Sequence, residues 1–275
     1  MAQPRQYSDA VLASMQSLYG RGFLSPGGAA EVFDIVEGLP IEGREVLDLG
    51  CGIGGASLVL AGELGAARVL GIDVEPASLE HAAALVDEMG LADRVSLRFV
   101  EPGPLPLPDS AFDVVFTKDV FCHVPDKPVL LAEAYRVLRP GGVLACGDWL
   151  KGEAGEGDGG DGGDGGDGSR RPTDFEDWNA RLAQSGLVFH FEPLAVYQAG
   201  LSAAGFAPVE VRDHSAWSEE DGRRQLAQSE ADAAALRQAL GEDGYLSRVA
   251  LTRARIAALA GGSLRHVHIR AFRPA

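Results

Sequence analysis

The residues best suited to chemistry stand at the end of an apolar run, in Val46-Leu47-Asp48-Leu49-Gly50-Cys51-Gly52-Ile53-Gly54-Gly55. Glycines in such a place let backbone amides approach a ligand and adopt positive φ. Where the run turns into a helix, free amides favour a carboxylate or a phosphate. The spacing alone is ambiguous, because Gly50, Gly52 and Gly55 also satisfy the G-x-G-x-x-G pattern of dinucleotide sites. Two acids narrow the choice. Asp48 suits the cationic end of a ligand, such as an amino-acid ammonium, and opposes a pyrophosphate. Asp73 closes a second run, Gly71-Ile72-Asp73-Val74, where a carboxylate hydrogen-bonds ribose hydroxyls.

For those groups to meet, strands must end beneath them. Residues 45–49, 68–73, 95–100, 112–117 and 143–148 read as apolar strands. Helical spacing at 56–64, 76–89 and 127–138 separates them, and Pro140-Gly141-Gly142 stops the last helix. Further helices are expected at 8–19, 29–37, 172–185, 194–204 and, in two or three pieces, over 218–260. Strands are expected at 208–213 and 264–272, and His266 and His268 share one face of the latter, where they pack or hydrogen-bond. The pattern predicts an α/β, Rossmann-like fold: a seven-stranded, mostly parallel sheet with helices on both faces and a helical cap. The expected division is an N-terminal helical lid at 1–40, a ligand-binding core at 41–150, a loop at 151–171, and the rest of the core at 172–275 with a cap insert at about 216–261.

The 275 residues carry 24 Lys and Arg against 40 Asp and Glu, a net charge of −16. An acidic chain repels phosphate backbones and anionic lipid heads, which disfavours nucleic-acid and membrane-surface roles. Six of the acids lie between Glu153 and Asp167 in a Gly-Gly-Asp repeat, which buries no apolar area and reads as a solvated loop. Cys51, Cys122 and Cys146 have no regular spacing and read as reduced thiols rather than a disulfide frame or a zinc site. The N-terminal residues lack the apolar core of a signal peptide, and no stretch is apolar enough to span a bilayer. The expected location is the cytoplasm.

With its downstream stretches, the chain resembles the class I S-adenosylmethionine-dependent methyltransferases. The resemblance rests on residues 46–55, on Asp73, on Pro108-Asp109-Ser110-Ala111-Phe112-Asp113-Val114-Val115, and on Arg136-Val137-Leu138-Arg139-Pro140-Gly141-Gly142. It implies S-adenosylmethionine as cofactor, S-adenosylhomocysteine as product, a small-molecule acceptor and no metal; it assigns no oligomeric state. Asp48, Gly50 and Gly52 are then expected around the methionine part, Asp73 and Val74 at the ribose, and Glu101 and Pro102 near the adenine.

The flanks are similar to phosphoethanolamine N-methyltransferases and to sarcosine/dimethylglycine methyltransferases. Gln6-Tyr7-Ser8-Asp9, Phe23-Leu24-Ser25-Pro26-Gly27-Gly28 and Lys118-Asp119-Val120-Phe121-Cys122-His123-Val124 carry this likeness. By it, Tyr7 and His123 form a catalytic pair, Ser25 contacts the cofactor, and Asp119 contacts cofactor or substrate. The chemistry agrees: methyl transfer is an in-line displacement that needs an aligned, neutral amine, and an imidazole with an ordinary pKa of about 6.5 can take the amine's proton. The phosphate ligands of the phosphoethanolamine enzymes do not carry over, since Met15, Trp149, residues 185–191 and Val249 stand where those ligands are expected. Trp149 and Phe121, Phe189 and Phe191 are instead candidates to receive a methylated cation. The leading expectation is N-methylation of a small polar amine or amino acid. The alternatives are S-methylation of a thioether amino acid such as methionine, C-methylation of a specialised metabolite, and a non-catalytic module that binds the cofactor. An NAD-dependent dehydrogenase is disfavoured by Asp48.

Overall fold

The protein is described by a computed structural model covering residues 9–152, 173–184 and 188–275, with side chains from Leu12 onward. Tyr7 and most of the Gly/Asp repeat fall outside the described residues. Seven strands form one sheet in the order β3-β2-β1-β4-β5-β7-β6. They are β1 (Glu45–Leu49), β2 (Arg68–Asp73), β3 (Val95–Phe99), β4 (Phe112–Lys118), β5 (Leu138–Lys151), β6 (Val209–Asp213) and β7 (Leu264–Phe272). All neighbours pair in parallel except β7, which runs antiparallel to both β5 and β6. The expected seven-stranded, mostly parallel sheet is therefore the one observed.

Strand side chains point alternately to opposite faces, and the core follows that period. In β4 and β5, Val115, Leu144 and Cys146 join one cluster with α5 (Lys127–Val137) and α7 (Leu194–Ala204). Val114, Phe116, Val143 and Ala145 join the other, with α2 (Gly28–Val36), α3 (Gly55–Leu58) and α4 (Pro76–Glu88). The remaining helices are α1 (Asp9–Tyr19), α6 (Asp174–Ala183), α8 (Ser215–Ala231) and α9 (Ala233–Ala260). Helices α8 and α9 lie between β6 and β7 in the chain, and a third cluster joins Trp149 of β5 to Trp178 of α6 and to Ala258 and Leu259 of α9.

Two details depart from the sequence reading. Helix α3 has only one α turn and continues as a π-helical turn, Val59–Glu63. Strand β5 begins at Leu138, which pairs with Phe112, and Pro140-Gly141-Gly142 lies in the irregularity before β4 and β5 resume register at Val114 and Val143. The long cap region forms helical pieces as expected, α8 and α9, with a break inside α9 where Gly241 takes φ 74 and ψ 171.

Gly55 sets how closely the N-terminal loop lies on the core. Its amide donates to the Gly22 carbonyl at 3.0 Å, and an added Cβ would stand 2.4 Å from that oxygen. Gly55→Ala therefore pushes backbone against backbone. The expected cost is about 2 kcal/mol, or about 5 °C in Tm; an unchanged melt would contradict this packing.

Candidate functional site

The candidate residues cluster where the parallel strands end. The loop after β1 runs through Gly50, Gly52 and Gly54, all at positive φ (75, 53 and 90°). A Cβ on Gly50 would come 2.3 Å from Val120 Cγ2, so the loop needs glycine to pass beneath the turn after β4. Backbone amides pin the loop to β2: Gly50 and Cys51 donate to the Ile72 carbonyl at 2.9 and 3.0 Å. Gly52 N–H donates to Asp73 Oδ2 at 2.8 Å, and Glu75 N–H donates to Oδ1 at 2.9 Å. Each Asp73 oxygen keeps further acceptor capacity. Val74 is half exposed, and Glu101 and Pro102 after β3 are exposed.

Asp48 lies beneath this loop, 1% exposed. Its Oδ2 accepts from the Ser57 hydroxyl at 2.5 Å. Burial pushes its pKa up to about 7, the Ser57 bond opposes the rise, and the Asp73 charge adds to it. An acid this reluctant to ionise is relieved by a nearby cation. A glycine cradle, a ribose-type acceptor pair at Asp73 and a buried acid awaiting positive charge together fit an amino-acid-bearing nucleoside such as S-adenosylmethionine.

His123 ends a 3₁₀ turn, Phe121–His123, after β4. Two buried polar groups hold that turn. Asp148 Oδ1 accepts from Cys122 N–H at 3.3 Å, while its Oδ2 accepts from the Tyr197 hydroxyl at 2.7 Å. Burial raises the Asp148 pKa to about 6, against the Tyr197 bond and with help from the Asp119 charge. Lys127, 1% exposed, donates to the carbonyls of Val124 and His190. Past this turn, the His123 ring packs on Phe189 at 4.4 Å between centroids, and Nδ1 lies 3.0 Å from the Val188 carbonyl. A carbonyl only accepts, so Nδ1 donates in this contact and Nε2 is the ring nitrogen left outside it.

Asp119 takes φ 57, and its carboxylate turns into the protein. Its Oδ2 accepts from Lys118 Nζ at 2.5 Å. The same ammonium donates to Ser25 Oγ and to the Pro26 carbonyl, both at 2.7 Å, and lies 3.0 Å from Glu31 Oε2. Trp149 stacks on His266 at 4.1 Å and is 6% exposed. Burial alone would raise the Glu31 pKa, but the charges of Lys118 and His266 hold it well below the ordinary value. His266 is pushed down by burial and lifted past it, to about 9, by Glu31 and Asp119.

The structure thus gathers Asp48, Gly50, Gly52, Asp73 and Val74 at one loop, joins Ser25 to Asp119 through Lys118, and sets His123 against Phe189. Tyr7 lies outside the described residues. Phe121 is fully buried, edge-on to Tyr197, and belongs to the core. Sequence reasoning missed Glu31, Lys118, Asp148 and Tyr197 as residues that fix the site. Lys118 was legible only as part of a motif, and Glu31 carried no local signal.

Asp48 makes stability pH-dependent. Its folded pKa of about 7 exceeds the unfolded value, so the folded state holds the extra proton. The penalty is absent below about pH 4, grows as pH rises and is complete above about pH 7. In ligand-free protein, Asp48→Asn should gain about 1–3 kcal/mol over wild type at pH 8 and much less at pH 5, read by urea unfolding. An equal effect at both values would contradict the assignment.

Comparison with known proteins agrees with this geometry. A family model described as "Methyltransferase domain" matches residues 47–146. Phosphoethanolamine N-methyltransferase 1 of Arabidopsis thaliana is 31% identical over 147 residues, 53% of this chain and 29% of that protein. The chain therefore spans well under two thirds of the length of the curated relatives it matches. Among solved structures, phosphoethanolamine N-methyltransferase 2 of Haemonchus contortus superposes with a TM-score of 0.82 at 22% identity, covering 98% of this chain and 59% of that one. A putative sarcosine dimethylglycine methyltransferase of Galdieria sulphuraria gives 0.74 at 18% identity, with 97% of each chain covered. The glycine loop, Asp48 and Asp73 lie within the stretch matched by the methyltransferase-domain model, and the chain shares the fold of these solved methyltransferases.

Proposed function

We propose that this protein transfers a methyl group to the nitrogen of a small polar amine or amino acid. The observation that carries the reading is the contact of His123 Nδ1 with the Val188 carbonyl, at 3.0 Å, which leaves Nε2 as a proton acceptor. Bound S-adenosylmethionine supplies a methyl group activated by a positively charged sulfur. Asp48 balances the cofactor's cationic end, Gly50 and Gly52 bring backbone amides close, Asp73 and Val74 take the ribose, and Glu101 and Pro102 flank the base. Ser25 and Asp119 line the same mouth through Lys118. As the new nitrogen–carbon bond forms and the sulfur–carbon bond breaks, the nitrogen loses a proton to His123 Nε2. We assign Tyr7 to orient His123, and Trp149 and Phe189 to the acceptor's cationic end by cation–π contact.

Phosphoethanolamine is the acceptor named for the Arabidopsis and Haemonchus proteins. The replacement of phosphate ligands by Met15, Trp149 and Val249 favours an acceptor other than phosphoethanolamine here. In this reading residues 1–40 act as a lid, 216–261 as a cap, and the enzyme works in the cytoplasm on small molecules rather than on nucleic acid. Among the described residues no helix is long and apolar enough to cross a membrane.

The test is mass spectrometry of products from S-adenosylmethionine with glycine, sarcosine, dimethylglycine, ethanolamine, phosphoethanolamine, histidine and methionine. An N-methylated product is expected, and His123→Ala should cut its rate about 100-fold or more with little change in cofactor affinity. A product from methionine alone, formed as fast by the variant, would move the reading to sulfur.

A further inference from the structure

The buried polar cluster beside Asp119 contains more donor atoms than its own hydrogen bonds use. Glu31 Oε1, Asp119 Oδ1, His266 Nε2 and His268 Nε2 are all buried and face one another as ion pairs, without a well-aligned hydrogen bond among the described residues. The side chains of Glu31, His266 and His268 are at most 3% exposed. The arrangement has a plain logic. Lys118 takes one oxygen from each carboxylate, Glu31 Oε2 and Asp119 Oδ2. The second oxygens face the imidazoles: Glu31 Oε1 is 2.9 Å from His266 Nε2 and 3.5 Å from His268 Nε2, and Asp119 Oδ1 is 3.7 Å from His266 Nε2.

We propose that Glu31, His266 and His268 bind one divalent transition-metal cation, with Asp119 Oδ1 as a fourth donor. Metal–donor bonds of about 2.1 Å put neighbouring donors about 3.0 Å apart in an octahedron and about 3.4 Å apart in a tetrahedron. The Glu31, His266 and His268 donors already lie within 4.8 Å of one another. Two imidazoles and a carboxylate select zinc, cobalt, nickel, iron or manganese over magnesium or calcium. An outer hydrogen bond orients His266, and ring packing orients both imidazoles. His266 Nδ1 lies 2.6 Å from the Ser218 hydroxyl and its ring stacks on Trp149; His268 stacks on His214 at 4.0 Å. The site would fasten α2 to β7 directly behind Asp119. The donors come from α2, β7 and the turn after β4, too far apart in the chain for any spacing motif.

Two cations compete: the Lys118 ammonium on the other oxygens of both carboxylates, and Arg212. Ligation through Nε2 leaves the His268 proton on Nδ1, where Arg212 Nη2 stands 3.2 Å away. Arg212 is half exposed and also holds Glu37 and the Asp34 carbonyl, so it can turn outward.

The experiment uses the full chain without a histidine tag, stripped with chelator and titrated with cobalt(II), zinc and magnesium. Cobalt should develop visible d–d bands that saturate at one equivalent, zinc should displace it, and magnesium should not. Glu31→Gln and His268→Gln should each weaken cobalt binding about tenfold or more, and Arg212→Ala should strengthen it. Wild-type protein that shows no cobalt bands, or bands unchanged in both Glu31→Gln and His268→Gln, would overturn the site; the wild-type titration decides even where a variant fails to fold.

Discussion

Lys118 places an ammonium, its side chain 5% exposed, among the Ser25 hydroxyl, the Pro26 carbonyl and the carboxylates of Glu31 and Asp119. Burial alone would discharge it, and the two carboxylates instead hold its pKa well above the ordinary lysine value. The partners come from three parts of the chain: the loop before α2, α2 itself, and the turn that follows β4. Phe23 anchors loop 20–28 in the core, and the buried charge fixes the end of the loop that carries Ser25 and Pro26. Such a charge is expensive to desolvate and is kept only where its partners are fixed.

Around that ammonium the candidate site is built from two kinds of constraint. The cofactor loop is a backbone device: Gly50, Gly52 and Gly54 occupy positive φ, and Asp73 accepts amides from both flanks. The acceptor side is a side-chain device: Asp148, Tyr197 and Lys127 hold the turn that carries His123. The two meet at Asp119 and Val120, the latter packed over Gly50. Movement of the β4 turn therefore changes both halves of the site together.

The strands were legible in the sequence because burial on both faces gives unbroken apolar runs such as Val114-Val115-Phe116, and the glycine loop because a backbone ligand site needs glycine at set positions. Strand β5 was cut short in the reading because Pro140-Gly141-Gly142 is turn chemistry that here sits at an irregularity within the strand. The π turn after α3 had no sequence signal. His266 and His268 were rightly placed on one strand face, but their partner Glu31 lies on a helix near the other end of the chain. A charged residue in an amphipathic helix reads as solvent-facing, and only tertiary packing of α2 against β5 and β7 makes it buried.

The most direct test of this account is a double-mutant cycle on stability between Lys118→Met and Glu31→Gln, followed by urea unfolding. If the buried ammonium organises the site mouth, Lys118→Met alone should cost about 3 kcal/mol or more, because it strands two carboxylates. The double variant should then lose at least about 1.5 kcal/mol less than the two single losses combined. Additive losses, within about 0.5 kcal/mol, would mean that Lys118 and Glu31 act independently and that the loop is held by other means.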